Sequence, residues 1–273
     1  MQRKSIKDII KPYLPVAIIV LYRLLRKIIA EIFYEFIIIR IEVRRNLFKS
    51  QMIENFDIEK ILSNNWPNYR SDLFPKDRRM SVIRLKEVAG MCTENTAFLI
   101  DEIVRVIAYK GVYLEVGTFN GYSLFSAALF NPKTRCIGID NFSQFDSEHK
   151  NENALRTNIK KFHSPKNIEF YNMDYKDAVG HLFSKEPNLK INVYYYDGEH
   201  SYENQLEGLR IMLPYLSERC IILVDDVNYE RVDLANRDFI TQHPEFKSIF
   251  KIKTERNGSK TWWNGFEVIA RGF

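Results

Sequence analysis

The sequence predicts an α/β fold: a doubly wound, mostly parallel sheet with a C-terminal antiparallel hairpin and an N-terminal amphipathic helical extension. Three observations predict it. From Val112 onward, short apolar runs alternate with segments of helical period, the pattern of parallel strands joined by crossover helices. The runs are nearly continuous, as in INVYYYD (191–197) and CIILVDD (220–226), which suits strands covered on both faces. Near the end, Asn257-Gly258 separates two further strand-like runs, and Asn-Gly between strands is a strong hairpin signal.

Taken in order, the strands are expected near 112–117, 134–140, 167–172, 191–197 and 219–225. Helices are expected near 121–130, 150–162, 176–184, 201–216 and 229–242. Thr93 offers an N-cap to the apolar-periodic run that starts at Ala97, and a further helix is expected to resume at Ser81. The hairpin comprises EFKSIFKIKTE and KTWWNGFEVIA. In it Trp262 and Trp263 are expected to pack, stacking on a sugar ring being the alternative; Tyr194, Tyr195 and Tyr196 are read as sheet packing. The chain divides into an arm (1–45), a linker or cap (46–92) and a main domain (93–273).

The composition, 45% hydrophobic and 14% aromatic over 273 residues, builds a sizeable core and excludes disorder for the bulk of the chain. Cys92, Cys136 and Cys220 lack metal-ligand spacing, and so few thiols without a secretory signal point to a reducing cytoplasm. Charge is uneven. Residues 1–45 carry ten lysines and arginines against four acids, so the arm holds +6 and the rest of the chain −1. A main domain with that balance has no broad nucleic-acid face.

Residues 9–41 are apolar but interrupted by charge. The longest uncharged run is Pro12–Tyr22, eleven residues, against the roughly 20 a spanning helix needs. From Leu24 an apolar helical face appears (Leu25, Ile28, Ile29, Ile32, Phe33, Phe36, Ile39). Two readings stand: a peripheral anchor at the inner face of the cytoplasmic membrane, its basic residues near anionic head groups, or a helix docked on the domain or on a second copy in a homo-oligomer.

The most informative segment is VYLEVGTFNGYSLFS, Val112–Ser126. A buried strand carrying Glu115 breaks into Gly117-Thr118-Phe119-Asn120-Gly121, and Ser123 lies in the helix that follows. Such a turn brings backbone N–H groups and a helix N-terminus close to a ligand. Asp140 ends the next strand nineteen residues past Gly121, a spacing suited to ribose hydroxyls. Acids recur after the third strand (Asp174), the fourth (Asp197) and the fifth (Asp225, Asp226). Ligands bind beyond the carboxyl ends of strands in such sheets. The turn reads G-x-x-x-G, not the dinucleotide G-x-G-x-x-G.

The segments YLEVGTFNGYS, CIGID, EFYNMDYKDA, VYYYDGEHSYENQLEGL and IILVDDVNY together resemble class I S-adenosylmethionine-dependent methyltransferases, which share a Rossmann-like sheet. DGEHSYE followed by VDD resembles the macrocin-type sugar O-methyltransferase subgroup. The resemblance implies an enzyme that uses S-adenosylmethionine, with Glu115, Gly117 and Gly121 on its methionine portion, Asp140 on its ribose and Asp174 with Tyr175 near its adenine. Thr118 and Ser123 complete the cofactor-binding set. It also implies Mg²⁺ on Asp197, Asp225 and Asp226, and His200 as general base where catechol-type enzymes carry a lysine, with Asp197 beside it in catalysis. The acceptor would be a hydroxyl on a sugar, glycan or other small molecule. A non-catalytic partner subunit and a metal-independent methyltransferase are the alternatives.

Overall fold

A computed structural model describes residues 56–65, 67–74, 85–162 and 166–273, together with Leu21, Tyr22, Leu24, Leu25, Arg26, Ile28, Ile29 and Ile32. The chain divides into two units, Met1–Lys49 and Ser50–Phe273. In the first, the eight described residues are helical. The rest of the arm and the helix expected from Ser81 lie outside the described residues. No helix among the described residues is long and apolar enough to cross a membrane.

The second unit is built on a seven-stranded sheet. Its elements are α1 (Ile58–Asn65), α2 (Glu94–Ile107), β1 (Val112–Val116), α3 (Tyr122–Ala128), β2 (Arg135–Asp140), α4 (Lys150–Phe162) and β3 (Ile168–Asn172). They continue with α5 (Tyr175–Lys185), β4 (Ile191–Tyr196), α6 (Tyr202–Ile211), β5 (Leu216–Asp225), α7 (Glu230–Gln242), β6 (Phe246–Ile252) and β7 (Phe266–Arg271). The strand order is β3-β2-β1-β4-β5-β7-β6, with β1 to β5 parallel and β7 antiparallel to both of its neighbours. The order reverses between β1 and β4, so those two strand tips form the topological switch point where such sheets take their ligands.

Strand alternation sorts the core. Val112, Leu114 and Val116 of β1, with Tyr194 and Tyr196 of β4, pack with apolar residues of α5, α6 and α7. On that face Gly208 lies directly against the Tyr196 ring, where a Cβ would come within 2.1 Å. Tyr194, Tyr195 and Tyr196 are all buried, as packing residues should be. α2 packs on α3. Thr93 caps α2, its side chain accepting from Thr96 N–H, and its hydroxyl also donates to Thr261 O at 2.7 Å. The segment before α2 is stitched to the same region: Trp262 Nε1 donates to Tyr69 O at 2.8 Å, and Phe74 stacks on Phe98.

The C-terminal strands pair as expected, but their connection is longer than a hairpin turn. Residues 253–265 intervene, and Trp262 and Trp263 fall there rather than in β7. The cause is tertiary. The Asn228 side chain accepts from Thr254 N–H and donates to Thr254 and Asn257 oxygens, and the Ser259 and Trp263 backbones exchange two hydrogen bonds. Asn257-Gly258 thus turns a small loop inside the connection. Trp262 is fully buried, while Trp263 sits at φ 51°.

Candidate functional site

The site begins with the glycine turn. Gly117 and Gly121 both adopt φ 90°, in the left-handed region that a Cβ disfavours. Gly117 also stands against the Asp197 carbonyl: a Cβ there would lie 1.9 Å from its oxygen. The tips of β1 and β4 can meet only because this residue has no side chain. Backbone hydrogen bonds hold the arrangement, from Gly117 N–H to Ile139 O (2.9 Å) and from Asp197 N–H to Val116 O (3.0 Å).

Asp140, at the tip of β2, locks the turn to its own loop. One carboxylate oxygen accepts from Phe119 N–H and the other from Phe142 N–H, each at 2.7 Å. Each oxygen keeps a further lone pair for a ligand. Burial raises the Asp140 pKa against the lowering by these N–H donors. Asp174 caps α5, its carboxylate accepting from Lys176 N–H at 2.9 Å, and also faces the cleft.

Beyond these strand tips lies a cleft of about 590 Å³, in the range of small-molecule sites. Gly117, Asp140, Asp174, Tyr175, Asp197, His200, Asp225 and Asp226 all line it. Glu115, Thr118, Gly121 and Ser123 do not; they are buried, Thr118 and Gly121 within the turn itself, and the Glu115 carboxylate accepts from Tyr113 Oη at 2.6 Å. Burial pushes Glu115 up to about 8, so it holds a proton at neutral pH. A second, open hollow lies at the opposite, amino-terminal ends of β4 and β5. There Arg271 and Arg219 are already bonded to backbone carbonyls, which leaves the cleft as the site with convergent chemistry.

At the β4 and β5 tips, His200 Nε2 lies 2.8 Å from Asp226 Oδ2 and 3.7 Å from Asp197 Oδ1. The closer contact lacks hydrogen-bond alignment, so the pairing is electrostatic, and His200 Nε2 and Asp226 Oδ1 are both buried without a hydrogen-bond partner. Burial alone would lower the histidine pKa, but Asp197 and Asp226 outweigh it and push His200 up to about 10. Asp197 rises to about 6, chiefly through burial, although a third of its side chain still reaches solvent and softens that shift. Asp226 takes φ 62°, a conformation that aspartate tolerates better than most residues.

Asp225 differs from its neighbour. Tyr195 Oη donates to one of its oxygens at 2.5 Å and Asp226 N–H to the other at 2.9 Å. The ligand atoms that converge, within 4.8 Å of one another, belong to Asp197, His200 and Asp226. The trio expected from sequence was Asp197, Asp225 and Asp226; the difference arises because Asp225 is turned onto Tyr195. Two carboxylates facing one point fit a hard divalent cation, while the imidazole is the weaker partner for Mg²⁺.

Further residues line the cleft beyond the expected site set. Tyr229 stacks on His200, ring centroids 5.6 Å apart, although 29 positions separate them. Trp263 reaches the cleft through the clamped 253–265 connection, and Met91 from the segment before α2. Phe119 belongs to the glycine turn itself, and its φ of 48° could not be read from its side chain.

Comparisons with known proteins agree with this geometry. Residues 114–227 match a family model described as a methyltransferase domain. No curated protein sequence matches the chain. Among solved structures, an O-methyltransferase from Bacillus cereus in complex with SAH is similar at TM-score 0.54 and 17% identity, covering 81% of this chain and 100% of that one. TomG from Streptomyces achromogenes, an O-methyltransferase of tomaymycin synthesis in complex with SAM, is similar at 0.53 and 16%, covering 69% and 84%. Cofactor-bound Rv0187 from MTB is similar at 0.52 and 16%, covering 70% and 86%. These likenesses show the fold. With the matched methyltransferase domain over residues 114–227, they define the class: the fold is that of class I methyltransferases.

Proposed function

We propose that the protein transfers the methyl group of S-adenosylmethionine to a hydroxyl of a sugar or glycan, with His200 as the proton acceptor. The observation that carries this reading is the placement of His200 against Asp226 and Asp197 in the same cleft as the glycine turn. Two similar structures are titled O-methyltransferases, which supports oxygen as the accepting atom.

S-adenosylmethionine supplies a methyl group bound to a positively charged sulfur. Gly117 and Phe119 would lie along it, Asp140 would accept from its ribose hydroxyls, and Asp174 with Tyr175 would flank its adenine. The buried, unpartnered Oη of the cleft-lining Tyr175 suits a polar ligand there, since such an atom is costly to leave unpaired. Glu115, Thr118, Gly121 and Ser123 would act indirectly, by fixing the turn.

The acceptor hydroxyl would sit beside the His200 imidazole. Its proton passes to the imidazole, and the two carboxylates stabilise the resulting cation. Most of the rate comes from holding oxygen, methyl carbon and sulfur in line. Tyr229 and Trp263 both line the cleft, and aromatic faces there suit the apolar face of a sugar ring. Among the described residues, no ring contact or hydrogen bond engages the Trp263 indole.

Asp197 and Asp226 would hold Mg²⁺, which would neutralise their charge and release His200 as the neutral base. A metal-independent enzyme keeps the same residues without the ion. The test is transfer of isotopically labelled methyl from S-adenosylmethionine to a panel of sugars and glycans, with and without EDTA. Label on a sugar oxygen, lost in His200→Ala, supports the proposal. Label on nitrogen or carbon, or full activity of the variant, contradicts it. Cofactor binding without transfer to any hydroxyl would favour the non-catalytic partner subunit.

A further inference from the structure

In the first unit, Leu21, Tyr22, Leu24, Leu25, Ile28, Ile29 and Ile32 are helical and between 45% and 63% exposed. Projected at about 100° per residue, they fill one arc of about 160°, from Leu24 to Tyr22. Arg26 falls outside the arc, and the sequence places Arg23 and Lys27 there too. Seven large apolar side chains on one face is more than scattered surface residues explain. The arc is also far wider than the narrow seam of a two-stranded coiled coil.

We infer that the apolar face formed by these seven residues lies along an anionic membrane surface. The charge chooses this occupant. The arm carries +6 while the rest of the chain carries −1, so the basic residues belong to the same stretch of sequence as the apolar arc. Anionic head groups complement them. The longest uncharged run of the arm is Pro12–Tyr22, eleven residues, against the roughly 20 a spanning helix needs, so the face lies on the membrane instead of crossing it. The methyltransferase reading does not enter this inference.

The experiment is flotation of the full chain with vesicles of phosphatidylcholine alone and of phosphatidylcholine with phosphatidylglycerol. The expected result is binding to the anionic vesicles, weakened at high salt, and at least about tenfold weaker for Leu25→Glu/Ile29→Glu. Arg26→Glu should weaken binding less than the double variant does. Thermal unfolding of the main unit should match wild type in both, which separates lost binding from lost folding. No flotation of the wild-type chain with anionic vesicles, or undiminished flotation of the double variant, overturns the inference. So does a wild-type dimer that the double variant dissolves while neither protein floats, because a second copy then covers the face.

Discussion

Replacing Gly117 with alanine tests how the cleft is built. The added Cβ would lie 1.9 Å from the Asp197 carbonyl oxygen and 2.7 Å from its carbon, both backbone atoms. Cβ contacts under 3.0 Å are essentially never seen, so the tips of β1 and β4 must part by about 1 Å. The left-handed conformation costs an alanine about 1–2 kcal/mol, and stretching the Asp197 N–H to Val116 O bond costs about 1 kcal/mol more. The expected destabilisation is about 2–3 kcal/mol, or about 4–12 °C in a unit of this size. Function should suffer further, because the displaced residue carries one of the two carboxylates that face His200. Scanning calorimetry with and without S-adenosylhomocysteine reads both effects: a lower Tm, and loss of the upward shift caused by the ligand. Gly180→Ala is the control. Nothing lies within 4 Å of a Cβ there and the residue is helical, so it should be neutral or stabilising by up to about 1 kcal/mol. A Gly117→Ala protein that melts within about 1 °C of wild type and keeps its ligand shift would refute the close-approach argument.

Other perturbations have equally definite outcomes. His200→Ala should lower turnover by about 10²–10⁴-fold and leave cofactor affinity unchanged; a matched fall in affinity would make the residue structural. Without divalent cation, turnover should rise with pH toward about 10, where His200 loses its proton, and added Mg²⁺ should move that limb to lower pH; a profile flat from neutral to alkaline pH would remove His200 as base. Because its pKa is raised on folding, the histidine's stabilising contribution is complete below pH 6.5 and disappears as pH climbs to about 10. Glu115 is raised by burial to about 8, so stability should decline between the ordinary glutamate value of 4.5 and that point, by on the order of 1.4 kcal/mol per pH unit at most. Glu115→Gln should flatten that slope in urea titrations, and an unchanged slope would show that the carboxyl does not titrate there. Arg135 joins Glu169 and Glu186 in a half-exposed cluster, so Arg135→Met should cost only about 1 kcal/mol and less at high salt; a loss of several kcal/mol would show a larger structural role.

The sheet was legible because its signals are local. Doubly covered strands need continuous apolar runs, and a turn that must reach φ 90° twice needs glycine twice. The acids at the strand tips could be placed for the same reason, since topology carries every parallel strand's end to one side. What could not be read depends on partners distant in sequence. Asp225 and Asp226 are adjacent, yet Tyr195 claims the first while a left-handed backbone turns the second toward His200. Trp262 and Trp263 looked like one strand-borne pair. Bonds from Asn228 and Thr93 hold their connection out of the sheet, burying one indole and leaving the other in the cleft. Glu115 had the residue type of a ligand-facing acid, but it is buried and bonded to Tyr113 Oη instead of lining the cleft.

Titration calorimetry of the full chain with S-adenosylmethionine tests the central claim most directly. The geometry of the turn and of Asp140 predicts one site per chain, with affinity lost in Asp140→Ala while thermal unfolding confirms that the variant remains folded. Absence of binding by the wild-type chain, or binding that Asp140→Ala leaves intact, would contradict it.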